Sequence, residues 1–131
     1  MRFRISNSAD LNFALQQLRK ITEEANMNAR DSDIMITSTS ELGTNILKYA
    51  GKGFIFMRLI EDKGDTFVEI AATDRGPGIE DVDEALRDHF STSGTLGLGL
   101  PGIKRSVDEM TIHSEASQGT RITIRKKVRG R

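Results

Sequence analysis

"GFIFMRLIEDKGDTFVEIAATD", residues 53–74, decides the fold. GFIFMRLIED and DTFVEIAATD are both rich in β-branched and aromatic residues and meet at KGD, which reads as a hairpin. Strands joined by so short a turn run antiparallel, because a parallel pair needs a long crossover. The pattern returns near the end, where TIHSEA and TRITIRKKV lie on either side of SQG. RFRI, residues 2–5, alternates and reads as a short opening strand.

The helices fall around these strands. Asp10 offers a cap for a helix running to about Asn28, with Phe13, Leu15, Leu18 and Ile21 as its apolar positions. RDSD (30–33) offers caps for a second helix, roughly 31–50, whose end is marked by Gly51 and Gly53. RGPGI (75–79) breaks the strand pattern as a loop, EDVDEALRD (80–88) reads as a short helix, and HFSTSGT (89–95) is small and polar. LGLGLPGIKRSVDEM (96–110) opens with glycines and continues as a helix. The order predicts an α/β two-layer sandwich: a mixed, mainly antiparallel sheet covered on one face by helices.

The 131 residues fit one compact domain, 1–131, long enough to bury a core without disulfides. The absence of cysteine excludes thiol redox catalysis, thiolate metal sites and disulfide scaffolds. A formal net charge of zero argues against a general nucleic-acid binder, and sparse aromatics argue against a stacking platform for single strands. The opening MRFRISNSADLNF carries no apolar run of signal-peptide length, and no stretch approaches a membrane span. A cytoplasmic location is the expectation. The basic end, RITIRKKVRGR, reads as a solvated, fraying terminus, with docking to an acidic partner as the other reading.

The second helix carries the first chemical signal. At about 100° per residue, Met35, Thr39, Leu42, Ile46 and Tyr49 form one stripe, which would face the sheet. Ser38, Glu41, Asn45 and Lys48 form another beside it, at the edge where a cleft could open. An amide oxygen suits Mg²⁺, and a carboxylate one turn away can accept a proton or orient a water. A solvated helix face would look the same. Gly43 costs about 1 kcal/mol relative to alanine in mid-helix, for which close packing on the sheet is the expected reason.

Two glycine loops carry the rest. In TDRGPGI (73–79), Gly76 and Gly78 let backbone approach a ligand, and Asp74 at the strand end offers a carboxylate to a base amine. GLGLPG (97–102) formally matches G-x-G-x-x-G, but no strand precedes it directly and no βαβ unit surrounds it, so the dinucleotide reading fails. No Gly-Lys-Ser/Thr follows, so it is no Walker loop either. What remains is a glycine-rich entry to a helix, suited to an anion such as phosphate. His89 and His113 look unsuited to a metal pair.

Taken in order, ELGTN (41–45), DRGPG (74–78), GTLGLGL (94–100) and Gly119–Thr120 resemble the ATP-binding boxes of the gyrase, chaperone, histidine-kinase and mismatch-repair (GHKL) superfamily, over nearly the whole chain. The Glu-x-x-x-Asn form and small size are similar to the stand-alone serine/threonine kinases of bacterial partner switching. ELGTNILKYAGKG and STSGTLGLGLPGIKRSVDEM look like the switch-kinase type of the stressosome.

The resemblance implies a Bergerat-type, histidine-kinase-like fold and ATP and Mg²⁺ as cofactors. It implies that Glu41 is the general base, Asn45 the Mg²⁺ ligand, and Asp74 the reader of the adenine amino group. Gly76, Gly78 and Ile79 would shape that pocket, with Thr120 near the base. Gly94, Thr95, Gly97, Leu98, Gly99 and Leu100 would lie by the phosphates, with about Asp88 to Leu96 as a short lid. Related anti-sigma kinases carry a basic residue at the lid's end, where this chain has Thr95 and Leu96; Lys48, Lys104 or Arg105 could compensate. The implied substrates are serines or threonines of STAS-domain proteins, with a downstream phosphatase or regulator as a further partner. The competing reading is a nucleotide-gated binding module that sequesters its partner, as an anti-sigma factor does.

Overall fold

The computed structural model describes residues 1–79, 86 and 99–130. In chain order these form β1 (Arg2–Ile5), α1 (Ser8–Glu24), α2 (Ala29–Asn45), a π-helical turn (Ile46–Ala50), β2 (Gly53–Asp62), β3 (Asp65–Asp74), α3 (Leu100–Ser106), β4 (Glu109–Glu115) and β5 (Gly119–Lys127). The sheet order is β1-β2-β3-β5-β4. All four neighbouring pairs are antiparallel, so the parallel component of a mixed sheet does not occur among the described strands.

The hairpin of β2 and β3 is the spine. Asp62 lies opposite Asp65, leaving Lys63 and Gly64 as the turn. Both have positive φ, +54° and +87°, the two-residue geometry whose twist matches that of the flanking strands. Ile55, Met57, Val68, Ile70, Ala72, Ile122 and Ile124 alternate onto one face and are buried. Leu11, Ala14 and Leu18 from α1, Met35, Leu42 and Ile46 from α2, and Leu100 and Ile103 from α3 complete one core with them.

Several boundaries differ from expectation, each for a local reason. The cap of α1 is Asn7, whose Oδ1 accepts from the Asp10 N–H at 2.8 Å. Asp10 in turn accepts from the N–H and hydroxyl of Ser6, the residue before the cap, at 2.9 and 2.8 Å. Those bonds from Ser6 lower the Asp10 pKa. The helix stops at Glu24 because Asn26 turns left-handed, φ +62°. Its buried positions are Leu11, Ala14, Leu18 and Thr22, while Phe13 is 54% exposed. In α2 the cap is Asn28, which accepts from the Asp31 N–H at 2.8 Å, so RDSD lies in the first turn. Gly43 faces α1 rather than the sheet: a Cβ there would run into the Leu11 side chain. Expected helix 96–110 shortens to Leu100–Ser106, because Val107 is extended and the chain enters β4 at Glu109. The short helix expected over 80–88 lies outside the described residues, apart from Leu86.

As far as Arg129 the basic end is tied into the fold. β5 is an inner strand, and the Asn28 N–H donates to the Arg129 carbonyl at 2.9 Å. Lys126 is 7% exposed, with its ammonium 3.8 Å from Asp31 and 4.0 Å from Asp108. Asp31 is itself 5% exposed. Removing one partner of such a pair leaves a buried charge uncompensated. Lys126→Ala is therefore expected to lose about 3–5 kcal/mol in urea unfolding. A loss below about 1 kcal/mol would mean that water already screens the site.

Candidate nucleotide site

The stripes of α2 fall as their spacing requires. Met35, Thr39, Leu42 and Ile46 are buried and Tyr49 is half-buried. The second stripe climbs out of the core: Ser38 is buried, Asn45 half-buried, and Glu41 and Lys48 exposed. The Lys48 ammonium sits 5.2 Å from the centre of the Tyr49 ring. Beyond Asn45 the helix widens to a π-turn, a distortion that often accompanies function, and ends at Gly51 with φ +82°.

Gly99 is the N-cap of α3 and has φ +68°. A Cβ on it would lie 2.8 Å from Glu41 Oε2. The glycine turn thus closes directly against the Glu41 carboxylate, and buried Leu100 anchors it. With only seven residues, α3 has a small dipole.

A second cluster forms at the end of β3. Asp74 lies opposite Gly53 on β2 and Thr120 on β5. Its Oδ1 accepts from the Gly76 N–H at 2.8 Å. Burial raises the Asp74 pKa, and the Gly76 and Thr120 amides offset only part of that. Gly76 packs on the π-turn, where an added Cβ would sit 2.7 Å from that of Ala50. Gly78 has φ +78°, and a Cβ on it would run into the Glu115 carbonyl. The Ser117 N–H also donates to the Pro77 carbonyl at 2.7 Å, so the loop is stapled to the β4–β5 turn.

Ser114 is the member that sequence reasoning missed. Its hydroxyl accepts from the Ile79 N–H at 2.6 Å and lies 3.0 Å from Thr120 Oγ1. It joins the loop after β3 to the β4–β5 hairpin. The signal was the two-residue alternation with Met110 and Ile112, which puts Ser114 on the helix-facing side. Gly78→Ala is expected to strain the loop and weaken ATP binding at least tenfold, read by calorimetric titration, because φ > 0 and the Glu115 carbonyl both oppose a side chain.

Of the residues singled out, Asp74, Gly76, Gly78, Ile79 and Thr120 come together, and so do Glu41 and Gly99. Asn45 lies one turn along from Glu41 on the helix that joins the clusters. Ala50 follows Glu41 by nine positions, roughly 13 Å of helical rise, a span comparable to an extended nucleoside triphosphate. Gly94, Thr95, Gly97 and Leu98 and the expected lid lie outside the described residues. His113 is on the opposite face of the sheet, in register with Arg121, and His89 is not described. The described residues hold no group of three or more His, Asp or Glu side chains able to cage a metal. A groove of about 570 Å³ runs between α2 and α3 up to Glu41, lined by Arg30, Ile34, Ser38 and Ile103 among others.

Residues 30–130, which contain both clusters, match the histidine kinase-, DNA gyrase B-, and HSP90-like ATPase family. The chain belongs to that family. Within this ATPase family it is 42% identical over 126 residues to the serine/threonine-protein kinase RsbT of Bacillus subtilis, covering 96% of this chain and 95% of that one. It is 26% identical over 130 residues to an anti-sigma F factor of Clostridium acetobutylicum, covering 94% and 89%. A chain in the SiaB–SiaC complex of Pseudomonas aeruginosa superposes with a TM-score of 0.61 at 11% identity, over 98% of this chain and 89% of that one, a likeness of fold alone. With the RsbT likeness spanning both chains almost end to end, this ATPase-family member is a protein serine/threonine kinase of the partner-switching type. No helix among its described residues is long and apolar enough to cross a membrane.

Proposed function

We propose that the chain transfers the γ-phosphoryl of ATP to a serine or threonine of a STAS-domain protein, with Glu41 as general base. The observation that carries this reading is the closure of Gly99 on the Glu41 carboxylate. It brings a backbone turn suited to phosphate to the one exposed carboxylate of the α2 stripe. The 570 Å³ groove is lined by both Glu41 and Gly99 and gives an acceptor segment a route to the carboxylate.

The roles divide by chemistry. Asp74 accepts from the adenine amino group, and Gly76, Gly78 and Ile79 shape the space around it, with Thr120 at its floor. A Cβ at Gly76 or Gly78 would fill or break that cradle, which supports a ligand needing the room. Gly94, Thr95, Gly97, Leu98, Gly99 and Leu100 form the phosphate side. Asn45 offers an amide oxygen to Mg²⁺, which suits an ion that keeps several waters and takes few protein ligands. The bound ion would neutralise phosphate charge. Glu41 takes the acceptor hydroxyl proton. Lys48, held over Tyr49 at the exposed edge, is one candidate for the cation missing from the lid.

The test incubates the protein with Mg²⁺-ATP and purified STAS-domain proteins of the same genome and maps phosphorylation by mass spectrometry. Phosphoserine or phosphothreonine on a STAS domain is expected. Phosphate only on proteins of other folds would overturn the substrate class. The kinship with an anti-sigma F factor favours a second reading, in which nucleotide gates sequestration. ATP-dependent complex formation without phosphorylation would establish it.

A further inference from the structure

One face of the sheet is covered by helices, and the other carries an unusual division of charge. Alternation places the residues between core positions on that open face. Register aligns Arg4, Phe54, Thr73, Arg121 and His113 in one row across all five strands. Arg2, Phe56, Ala71, Thr123 and Thr111 form the next row. Four strand spacings make each row about 19 Å wide.

A third row neutralises itself. Glu69 accepts from Arg58 at 2.6 Å and from Arg125 at 2.8 Å. Arg125 also lies 3.9 Å from Glu109. In the first two rows, by contrast, none of Arg2, Arg4 and Arg121 lies in a salt bridge with a described carboxylate, Arg4 acting on Asp10 only through space. Arg2 instead lies 5.2 Å from the centre of the Phe54 ring, and the Phe54 and Phe56 rings are 6.4 Å apart. Phe56 is 37% exposed. A concavity of about 750 Å³ opens over this end, floored by Phe54, Thr73 and Arg121. Its lining adds Lys52 and Arg75, so four basic side chains with Arg4 and Arg121 stand against two acidic ones, Asp74 and Glu115.

We propose that this end of the open sheet face docks an acidic protein segment with an aromatic or aliphatic anchor. Carboxylates pair with Arg2, Arg4 and Arg121, and the anchor packs on Phe54 and Phe56. Charge complementarity selects this occupant. A second copy centred on the same concavity would set arginines against arginines, a juxtaposition costing several kcal/mol. The exposed Phe56 ring beside the half-buried Phe54 ring favours a partner with an apolar anchor over a bare polyanion. The concavity borders the nucleotide cluster, since Asp74, Ser114 and Thr120 also line it, but register puts Arg2, Arg4, Phe54, Phe56 and Arg121 on the face opposite Ala72 and Ile122, which turn to the core.

The test uses the full chain, isotope-labelled, and a fluorescent peptide alternating glutamate with phenylalanine and leucine. A lysine-for-glutamate counterpart serves as control. The acidic peptide is expected to bind, to shift amides of residues 2–5, 54–56, 71–73 and 121–123, and to weaken as salt rises. Combined Arg4→Glu and Arg121→Glu substitutions should weaken it about tenfold or more while ATP affinity stays unchanged. If that pair fails to fold, Arg4→Gln with Arg121→Gln should weaken it by a smaller factor. Binding insensitive to these substitutions, or shifts confined to α2, would overturn the proposal. So would tighter binding of a DNA duplex or of phosphatidylserine vesicles, or a dimer that the substitutions dissociate.

Discussion

Glu41→Gln is expected to bind ATP as tightly as the unmodified protein and to transfer its phosphoryl group about 10²–10⁴-fold more slowly, the usual worth of a general base. Glu41 is exposed and Gly99 closes on its Oε2, so the amide should keep the packing of the turn while losing the proton acceptor. Nothing on the Asp74 side changes, hence the unaltered affinity. Single-turnover transfer and calorimetric ATP binding on one preparation separate the two quantities. Equal transfer rates would remove Glu41 from the base role. Parallel loss of binding and transfer would make it part of the nucleotide cradle instead.

Asp74→Asn should weaken ATP binding by about 10–150-fold, the worth of a hydrogen bond to a charged group. Asp74 Oδ1 already accepts from Gly76, so the adenine amine needs the second oxygen. In asparagine an amine donor faces an amine donor. The stability effect runs the other way. Burial raises the folded-state pKa of Asp74, so its contribution to stability is present below the unfolded pKa and lost as pH rises through the folded one. At neutral pH the ionised group opposes folding, and the neutral amide should not lower the melting temperature of the nucleotide-free protein. In the unmodified protein, ATP affinity should fall on acidification through that raised pKa, because a protonated carboxyl loses acceptor capacity. Unchanged ATP affinity in Asp74→Asn would exclude it as the adenine reader.

Much of this was legible in the sequence because it rests on local rules. The hairpin at residues 53–74 could be read because two β-rich segments meet at a glycine turn. The α2 stripes followed from 100° per residue, and the buried set matched through Ile46. What was not legible depended on pairing in space. The cap of α1 moved from Asp10 to Asn7 because Asn7 Oδ1 takes the Asp10 N–H, and Asp10 is the third helical residue. Phe13 reads as core in sequence yet turns out against Phe3, edge-on at 6.0 Å. Gly43 was explained by packing, but against Leu11 of α1. The basic end reads as a solvated tail until Asp31 and Asp108 are found beside Lys126.

At the site, the motif residues were found and their supports were not. Ser114 and Ala50 carry no chemistry alone. They matter because Ile79 and Gly76 meet them across long sequence separations. The 750 Å³ concavity is lined both by Asp74, Ser114 and Thr120 and by Arg4, Phe54 and Arg121, so its lining alone does not separate the two faces of the sheet.

That contrast defines the most direct test of the account. ATP with Mg²⁺ is titrated into isotope-labelled protein and backbone amide shifts are mapped. Shifts should gather at residues 41–50, 74–79, 99–100 and 114–120, with the open-face row of Arg4, Phe54 and Arg121 left in place. Shifts centred on that row instead, with 41–50 and 74–79 unmoved, would put the nucleotide on the open face and contradict the assignment of Asp74, Asn45 and Glu41.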